Sequence, residues 1–378
     1  MYYCRIIVIW CLIWVFFSCE ETKNNRTIPQ PNLSLAAAPS AVNLTDFLST
    51  SNGNFLLVDL GRIYDIQIVD SVAYTASDTY ISRIPIDSEA SELTPVTFES
   101  FVKGTSVAVS GQNALFADSQ GGVKSIALES SQYVLKSAVN CKNAKELLLN
   151  GSKIYVADYG GGLRVIDATD LDSLQNEHLV TTEFTVESAQ SVAIHGTYAY
   201  VANNSDFVKV GVPAFSVFDL STTPPKLIRE IDGKNDYFFS SSMRYAYDIE
   251  LKEYDSSVFM FVAGGPSGLA IFKVPHSANP DVTPELLQVV TGITAFSLSQ
   301  AGSNLYVADR FWGFSVFNIE SPTDPVWSHR FQYQSNIGGE FFHVTEGNDY
   351  VGASFGYILD GIWTPSLALI KKTDLGID

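Results

Sequence analysis

Cysteine and basic charge are what this sequence has least of. Its four cysteines are Cys4, Cys11, Cys19 and Cys141. Three fall within the first 19 residues, so Cys141 stands alone in the rest of the chain and no internal disulfide framework can form. No CxxC pair and no cysteine–histidine cluster suggests zinc. Lys and Arg number 23 against 41 Asp and Glu, a formal net charge of −18. Nucleic acids are held mainly by neutralising their phosphates, so nucleic-acid binding is not expected, and direct docking on anionic lipid is disfavoured. An acidic surface suits solubility and weak binding of a cation such as Ca²⁺; no other cofactor is expected. Catalytic signatures are missing too: there is no G-x-S-x-G, HExxH, Walker loop or EF-hand loop.

What the chain does have is apolar and aromatic. Of its 378 residues, 46% are hydrophobic and 12% aromatic, against 17% charged. That is the profile of a β-rich exported protein. The amino terminus agrees. After Arg5 an apolar run extends from Ile6 to Phe17, too short for a membrane span, which needs about 20 residues. It has the length of a signal-peptide core. The phrase Phe16-Phe17-Ser18-Cys19 then resembles a bacterial lipobox, with Phe16 where leucine is usual. Residues 1–18 are therefore expected to be a lipoprotein signal peptide and Cys19 the lipidated residue, with an uncleaved signal anchor as the alternative. Acyl chains would hold the protein on a membrane without a spanning helix. Residues 19–50 are rich in Pro, Ser, Asn and Ala and read as a flexible tether reaching roughly 30 Å. The expected location is extracytoplasmic and membrane-anchored. Glu20 and Glu21 resemble lipoprotein sorting signals whose meaning, periplasmic or cell-surface, depends on lineage.

Residues 51–378 repeat. The alanine of "YVAD" returns at Ala76, Ala117, Ala157, Ala202, Ala263, Ala308 and Ala353, at spacings of 41, 40, 45, 61, 45 and 45 residues. A period of 40–50 with short strands is the mark of a β-propeller blade. Each unit offers four strand-like runs, A to D, as in "QSVAIH", "YAYVAN", "FSVFDL" and "KLIREI". Gly111, Gly151, Gly196, Gly302 and Gly347 each lie six residues before an anchor alanine, which predicts a tight A–B turn with positive φ. A second glycine set, as in "ADYGGGL" and "ADRFWGF", marks the B–C corner. The seventh unit ends without a D strand, while "NFLLVDLG" at 54–61 precedes the first A strand without a partner. That strand can complete the last blade. The expectation is an all-β, seven-bladed propeller closed by an N-terminal strand.

The C-strand phrase "LRVID" and its relatives "FSVFD" and "FSVFN" resemble those of the LVIVD-repeat propeller family, over about residues 54–378. Units one and seven, with "ISRIP" and "LALIK", lack the acidic end. The resemblance implies the propeller and, as members are often lipoproteins or surface proteins, an exported address; it implies no reaction.

Function must then come from departures between units. The residue after the anchor alanine is Asp118, Asp158, Asn203 or Asp309 in four units, which topology places as a ring around one channel mouth. Such a ring would bind a cation or sugar hydroxyls, or its members cap their own B–C turns. The face carrying the D–A and B–C loops also collects aromatics: Tyr159, Tyr237, Phe238, Phe239, Tyr245, Phe311, Trp312 and Trp363, with Arg244. Aromatics with an Arg on loops resemble a binding anchor set for a protein or a glycan; alternatively they fold inward and plug the channel. Of the histidines, His178, His195, His276 and His329 are scattered among the units. His343, on an A strand near the channel, is the one to watch. A monomeric binding module is the leading expectation. A lactonase- or glycosidase-like propeller enzyme is the alternative, for which no inward set of carboxylates is evident, and an outer-membrane assembly scaffold is the third.

Overall fold

The computed structural model describes residues 42–43, 55–58, 60–86, 95–98, 103–128, 133–180, 188–204, 215–231, 245–274, 284–332, 339–359 and 362–377. Cys19, the 1–18 segment and most of the tether lie outside them.

The fold is a seven-bladed propeller, and each blade is a four-stranded antiparallel sheet. The A strands are Ile63–Val69, Gly104–Ser110, Ala144–Asn150, Ala189–His195, Asp248–Tyr254, Ala295–Ala301 and Gly339–Glu346. They stand innermost and wall a central channel. Ring closure is as the repeat count requires. Phe55–Val58 pairs antiparallel with Ile362–Lys371, the C strand of blade seven, and so supplies that blade's missing D strand. Val42–Asn43, inside the tether, adds a parallel pair to the outer edge of Val326–Gln332, the D strand of blade six. An outer D strand leaves backbone N–H and C=O groups unpaired, and such an edge accepts a further strand.

Burial follows from where each strand sits. B strands are covered on both faces by neighbouring blades: Lys153–Asp158 is buried at every position after the first. D strands lie on the rim, and Gln175–Val180 is largely exposed. Buried apolar side chains gather in seven clusters, one in each gap between adjacent blades. The last of these gaps joins Leu60, Ile63 and Ile66 of blade one to Tyr350, Leu367 and Leu369 of blade seven. All seven anchor alanines have no exposed surface. Blades converge toward the axis, and close packing leaves room for little more than a methyl group there.

The turn glycines divide into two kinds. Gly111, Gly151, Gly196 and Gly302 have φ of 54–61° at the first central position of the A–B hairpin. Asp70 and Asp255 adopt the same conformation in blades one and five, where glycine is missing; Asp tolerates it better than most residues. Gly347 differs from the expectation: it has no positive φ, and a Cβ on it would lie 2.4 Å from the Ile68 side chain of blade one. At the B–C corner, a Cβ on Gly313 would lie 1.8 Å from the Phe331 carbonyl oxygen. The C strand starts against the end of the D strand, and glycine alone fits.

Candidate functional site

Each A strand has one backbone edge facing the axis, with no strand beside it. The sequence solves this at one register of the strand, opposite the anchor alanine in six blades and one residue beyond it in the seventh, which reads Asp65, Ser106, Glu146, Ser191, Asp248, Ser297 and His343 around the ring. Val107 N–H donates to Asp65 Oδ2 (2.8 Å), Leu147 N–H to Ser106 Oγ (3.3 Å), Ile249 N–H to Ser191 Oγ (3.2 Å) and Leu298 N–H to Asp248 Oδ2 (2.8 Å). One register describes all four: a side chain of one blade accepts from the next residue of the next blade. Two positions along, Val109 N–H donates to Gln67 Oε1 (2.6 Å) and Glu346 N–H to Ser299 Oγ (3.3 Å) in the same sense. Around the seven–one seam the link runs through side chains. Ser297 Oγ is 2.9 Å from His343 Nδ1, and His343 Nε2 is 3.1 Å from Asp65 Oδ1. The result is a polar girdle that ties blade to blade.

This girdle corrects one expectation. Inward carboxylates are present: Asp65, Glu146, Asp248 and Glu250 all line the channel with His343. They do not converge as a metal site; among the described residues no group of three or more His, Cys, Asp or Glu is arranged to hold an ion. Burial pushes the Glu146 carboxyl well above the usual range, with Asp248 adding to it. Burial also raises Asp248, and raises Glu250 to about 8 with help from Asp248.

Above the girdle the channel opens into a mouth, and a second regularity builds it. Six of the seven A strands carry a β-bulge one residue before the girdle position. The extra residues are Tyr64, Thr105, Lys145, Gln190, Phe296 and Phe342, and all six line the channel cavity of about 570 Å³. A bulge re-aims one side chain without disturbing the rest of the ladder. Arg62, Lys103 and Arg310 join from the connections beside the strands. Cations and rings interleave. Arg62 sits 4.0 Å from the Phe342 ring centre and 5.4 Å from that of Tyr64; Lys103 lies 4.3 Å from Tyr64. Arg310 lies 4.9 Å from Phe296 and 5.3 Å from Phe311, and also reaches Glu340 at 3.4 Å.

The residues expected from sequence fall as follows. Tyr159 does not line the cavity itself but neighbours it, with Lys145 5.2 Å from its ring centre. Tyr245 connects through Tyr247 (6.3 Å) to Phe296 (4.2 Å beyond). Phe311 is 56% and Trp312 45% exposed at the B–C corner of blade six. Trp312 leans on Arg330 (5.4 Å) and lines a separate cavity of about 460 Å³ with Pro266 and Ile293. Trp363 belongs to a strand, not a loop: it pairs with Ile358 in the long hairpin that ends blade seven. Tyr237, Phe238, Phe239 and Arg244 lie outside the described residues.

Asp118, Asp158, Asn203 and Asp309 have no exposed surface, so none presents a side chain to solvent at the mouth. Each is engaged within its own blade. Asp158 accepts from the N–H groups of Lys142 (3.1 Å) and Asn143 (2.7 Å) and from the Arg164 guanidinium (2.9 Å). Asp118 accepts from Gln120 N–H (3.0 Å) and Lys124 Nζ (2.7 Å). Asn203 donates to Ser216 Oγ (2.8 Å). Asp309 accepts from Thr294 N–H (3.0 Å), while Arg330 stays 3.6 Å away. Burial raises the Asp309 carboxyl to about 6.

With this geometry in view, the comparisons are consistent. Residues 142–179 and 187–212, within blades three and four, match the family model of the LVIVD repeat. Both segments carry the LVIVD repeat. No curated protein matches this chain in sequence. Among solved structures, the propeller domain of Myceliophteria thermophila Cps50 (Swd1) is 10% identical, with 83% of this chain and 98% of that one covered and a TM-score of 0.59. The U3-55K structure is 9% identical, covering 84% and 98%, and the RRP9 WD40 repeats are 10% identical, covering 85% and 98%; both have TM-scores of 0.59. At these identities the likeness is one of fold.

The buried carboxyls set a pH dependence. Glu250 keeps its proton in the fold up to about pH 8, whereas an unfolded glutamate loses it near 4.3. Between those values the folded state binds more protons, so stability falls as pH rises. Asp309, at its B–C corner, acts in the same direction, as do Asp248 and Glu146 in a channel that also holds Asp65, His343 and the mouth cations. Glu250→Gln removes one contribution. Its thermal midpoint is expected to drop several degrees less than that of the wild type between about pH 5 and pH 8, measured by circular dichroism.

Proposed function

We propose that this protein is an exported, lipid-anchored propeller that acts as a binding module for a protein or glycan partner. It engages that partner through the face on which the D–A and B–C loops open. The observation that carries the reading is Phe311 and Trp312. They stand exposed at one corner of that face, beside a channel mouth of cations and rings. Large exposed aromatics on a rigid scaffold are the residues that most often anchor an interface. The N-terminal pattern ending in Cys19 supports anchoring.

A second reading, hydrolysis, is favoured by the series Ser297–His343–Asp65, which has the order of nucleophile, base and orienting acid. It ranks second because Ser297 is only 4% exposed and both contacts also serve to close the girdle.

Three outcomes are expected. Capture of a partner from native membranes falls at least about tenfold in Phe311→Ala/Trp312→Ala, read by quantitative mass spectrometry; unchanged capture would place the interface elsewhere. Cys19→Ala moves the protein from the membrane to the soluble fraction on cell fractionation. A panel of nitrophenyl esters and lactones gives no turnover; turnover that Ser297→Ala abolishes would put the hydrolase reading first.

A further inference from the structure

The channel mouth gathers cations in an acidic molecule. In a chain of net charge −18, Arg62, Lys103, Lys145 and Arg310 come from blades one, two, three and six to line one cavity of about 570 Å³. The two guanidinium groups are held in place by rings: Arg62 by Phe342 and Tyr64, Arg310 by Phe296 and Phe311. Stacking leaves the N–H edge of a guanidinium able to meet a carboxylate side-on; one terminal nitrogen of Arg310 already reaches Glu340 at 3.4 Å, and its Nε does not. Nε of both Arg62 and Arg310 is buried without an acceptor from the protein. On the wall from blade four, Asn204 is 5% exposed, lines the same cavity, and has an Oδ1 without a donor. Buried polar groups of this kind are uncommon in native structures and call for a partner.

The three unfilled groups specify complementary chemistry. The guanidinium donors require an anionic acceptor, and the amide oxygen requires an N–H. A carboxylate and an N–H within one small unit describe an acidic residue in a peptide. We infer that the mouth takes an acidic side chain of a protein partner, carried on an extended segment whose backbone N–H meets Asn204. This deepens the binding-module reading and rests on it. A sugar fits less well, because the ring faces of Tyr64, Phe296 and Phe342 are covered by cations and are not open for stacking. Two of the deeper acids are already engaged in the girdle. Asp65 and Asp248 accept backbone N–H groups in the girdle. Glu250 holds its proton at neutral pH and can donate.

The test uses the full-length protein in detergent and fluorescence anisotropy with labelled, end-capped peptides: tetraglutamate, tetraglutamine and tetralysine. A galacturonate oligomer serves as the glycan arm. Tetraglutamate is expected to bind, to weaken with added salt, and to lose at least about tenfold in affinity in Lys103→Gln/Lys145→Gln and in Asn204→Ala. Tetraglutamine and tetralysine are expected not to bind. Thermal midpoints within a few degrees of wild type show that the variants fold. No binding of tetraglutamate, equal binding by the folded variants, or preference for the galacturonate oligomer would each overturn the inference. Native partner capture that is lost in Phe311→Ala/Trp312→Ala but untouched by Lys103→Glu/Lys145→Glu would overturn the acidic anchor alone and leave the binding face standing.

Discussion

The girdle of hydrogen bonds around the channel is the constraint on which the rest of the molecule depends. A propeller turns the innermost edge of every blade toward its axis, and those N–H groups have no strand to pair with. Left unmet, each buried group would cost about 1–3 kcal/mol. Here the acceptor for one blade is a side chain of the blade before it, as Asp65 serves Val107 and Asp248 serves Leu298. Closing the ring and satisfying the inner edges are therefore one event. Carboxylates are strong acceptors for this purpose, and their burial, with the Asp248 charge adding to it at Glu146 and Glu250, explains why Glu146, Asp248 and Glu250 hold protons so firmly.

Structure and recognition occupy adjacent residues of the same strands. The girdle residue faces the next blade, and the bulged residue just before it faces the mouth. Asp65 and Tyr64, Glu146 and Lys145, Ser297 and Phe296, and His343 and Phe342 divide in this way. A bulge leaves the ladder beyond it in register, so the mouth residue can vary between blades while the girdle residue stays polar. The mouth is accordingly asymmetric, with aromatic rings contributed by blades one, six and seven and a lysine by blade three.

Much of the fold was legible because it repeats. Seven alanines at near-constant spacing mark the narrow gaps between blades, and the lone run near residues 54–61 had nowhere to pair except the last blade. The site was less legible. Tyr64, Phe296 and Phe342 read as ordinary strand residues, because a one-residue bulge decides which face a side chain takes and leaves no local mark in sequence. The carboxylates of Asp65, Glu146, Asp248 and Glu250 escaped notice because they are dispersed through strands 40 or more residues apart, except within the pair Asp248–Glu250. Asp158 and its counterparts sit where repetition placed them, at the end of the B strand. Asp158 and Asp309 use that place to fasten the B–C corner to the connection that leads into their own A strand, while Asp118 and Asn203 bond to the corner or to the C strand. Trp363 was placed in a loop because a long hairpin arm and a loop look alike when glycine and proline flank both.

Ring closure by Phe55–Val58 has a mechanical side. Chain that enters at the amino terminus meets the propeller first at Val42–Asn43 on the rim of blade six, and then at the closing strand of blade seven. A pull on that end would load these two pairings before any other part of the ring. The two-residue clip is the weaker element and would yield first, taking up slack. The closing strand is held along four residues in antiparallel pairing against a C strand buried from Ser366 to Ile370. The ring thus has a fuse ahead of its seam.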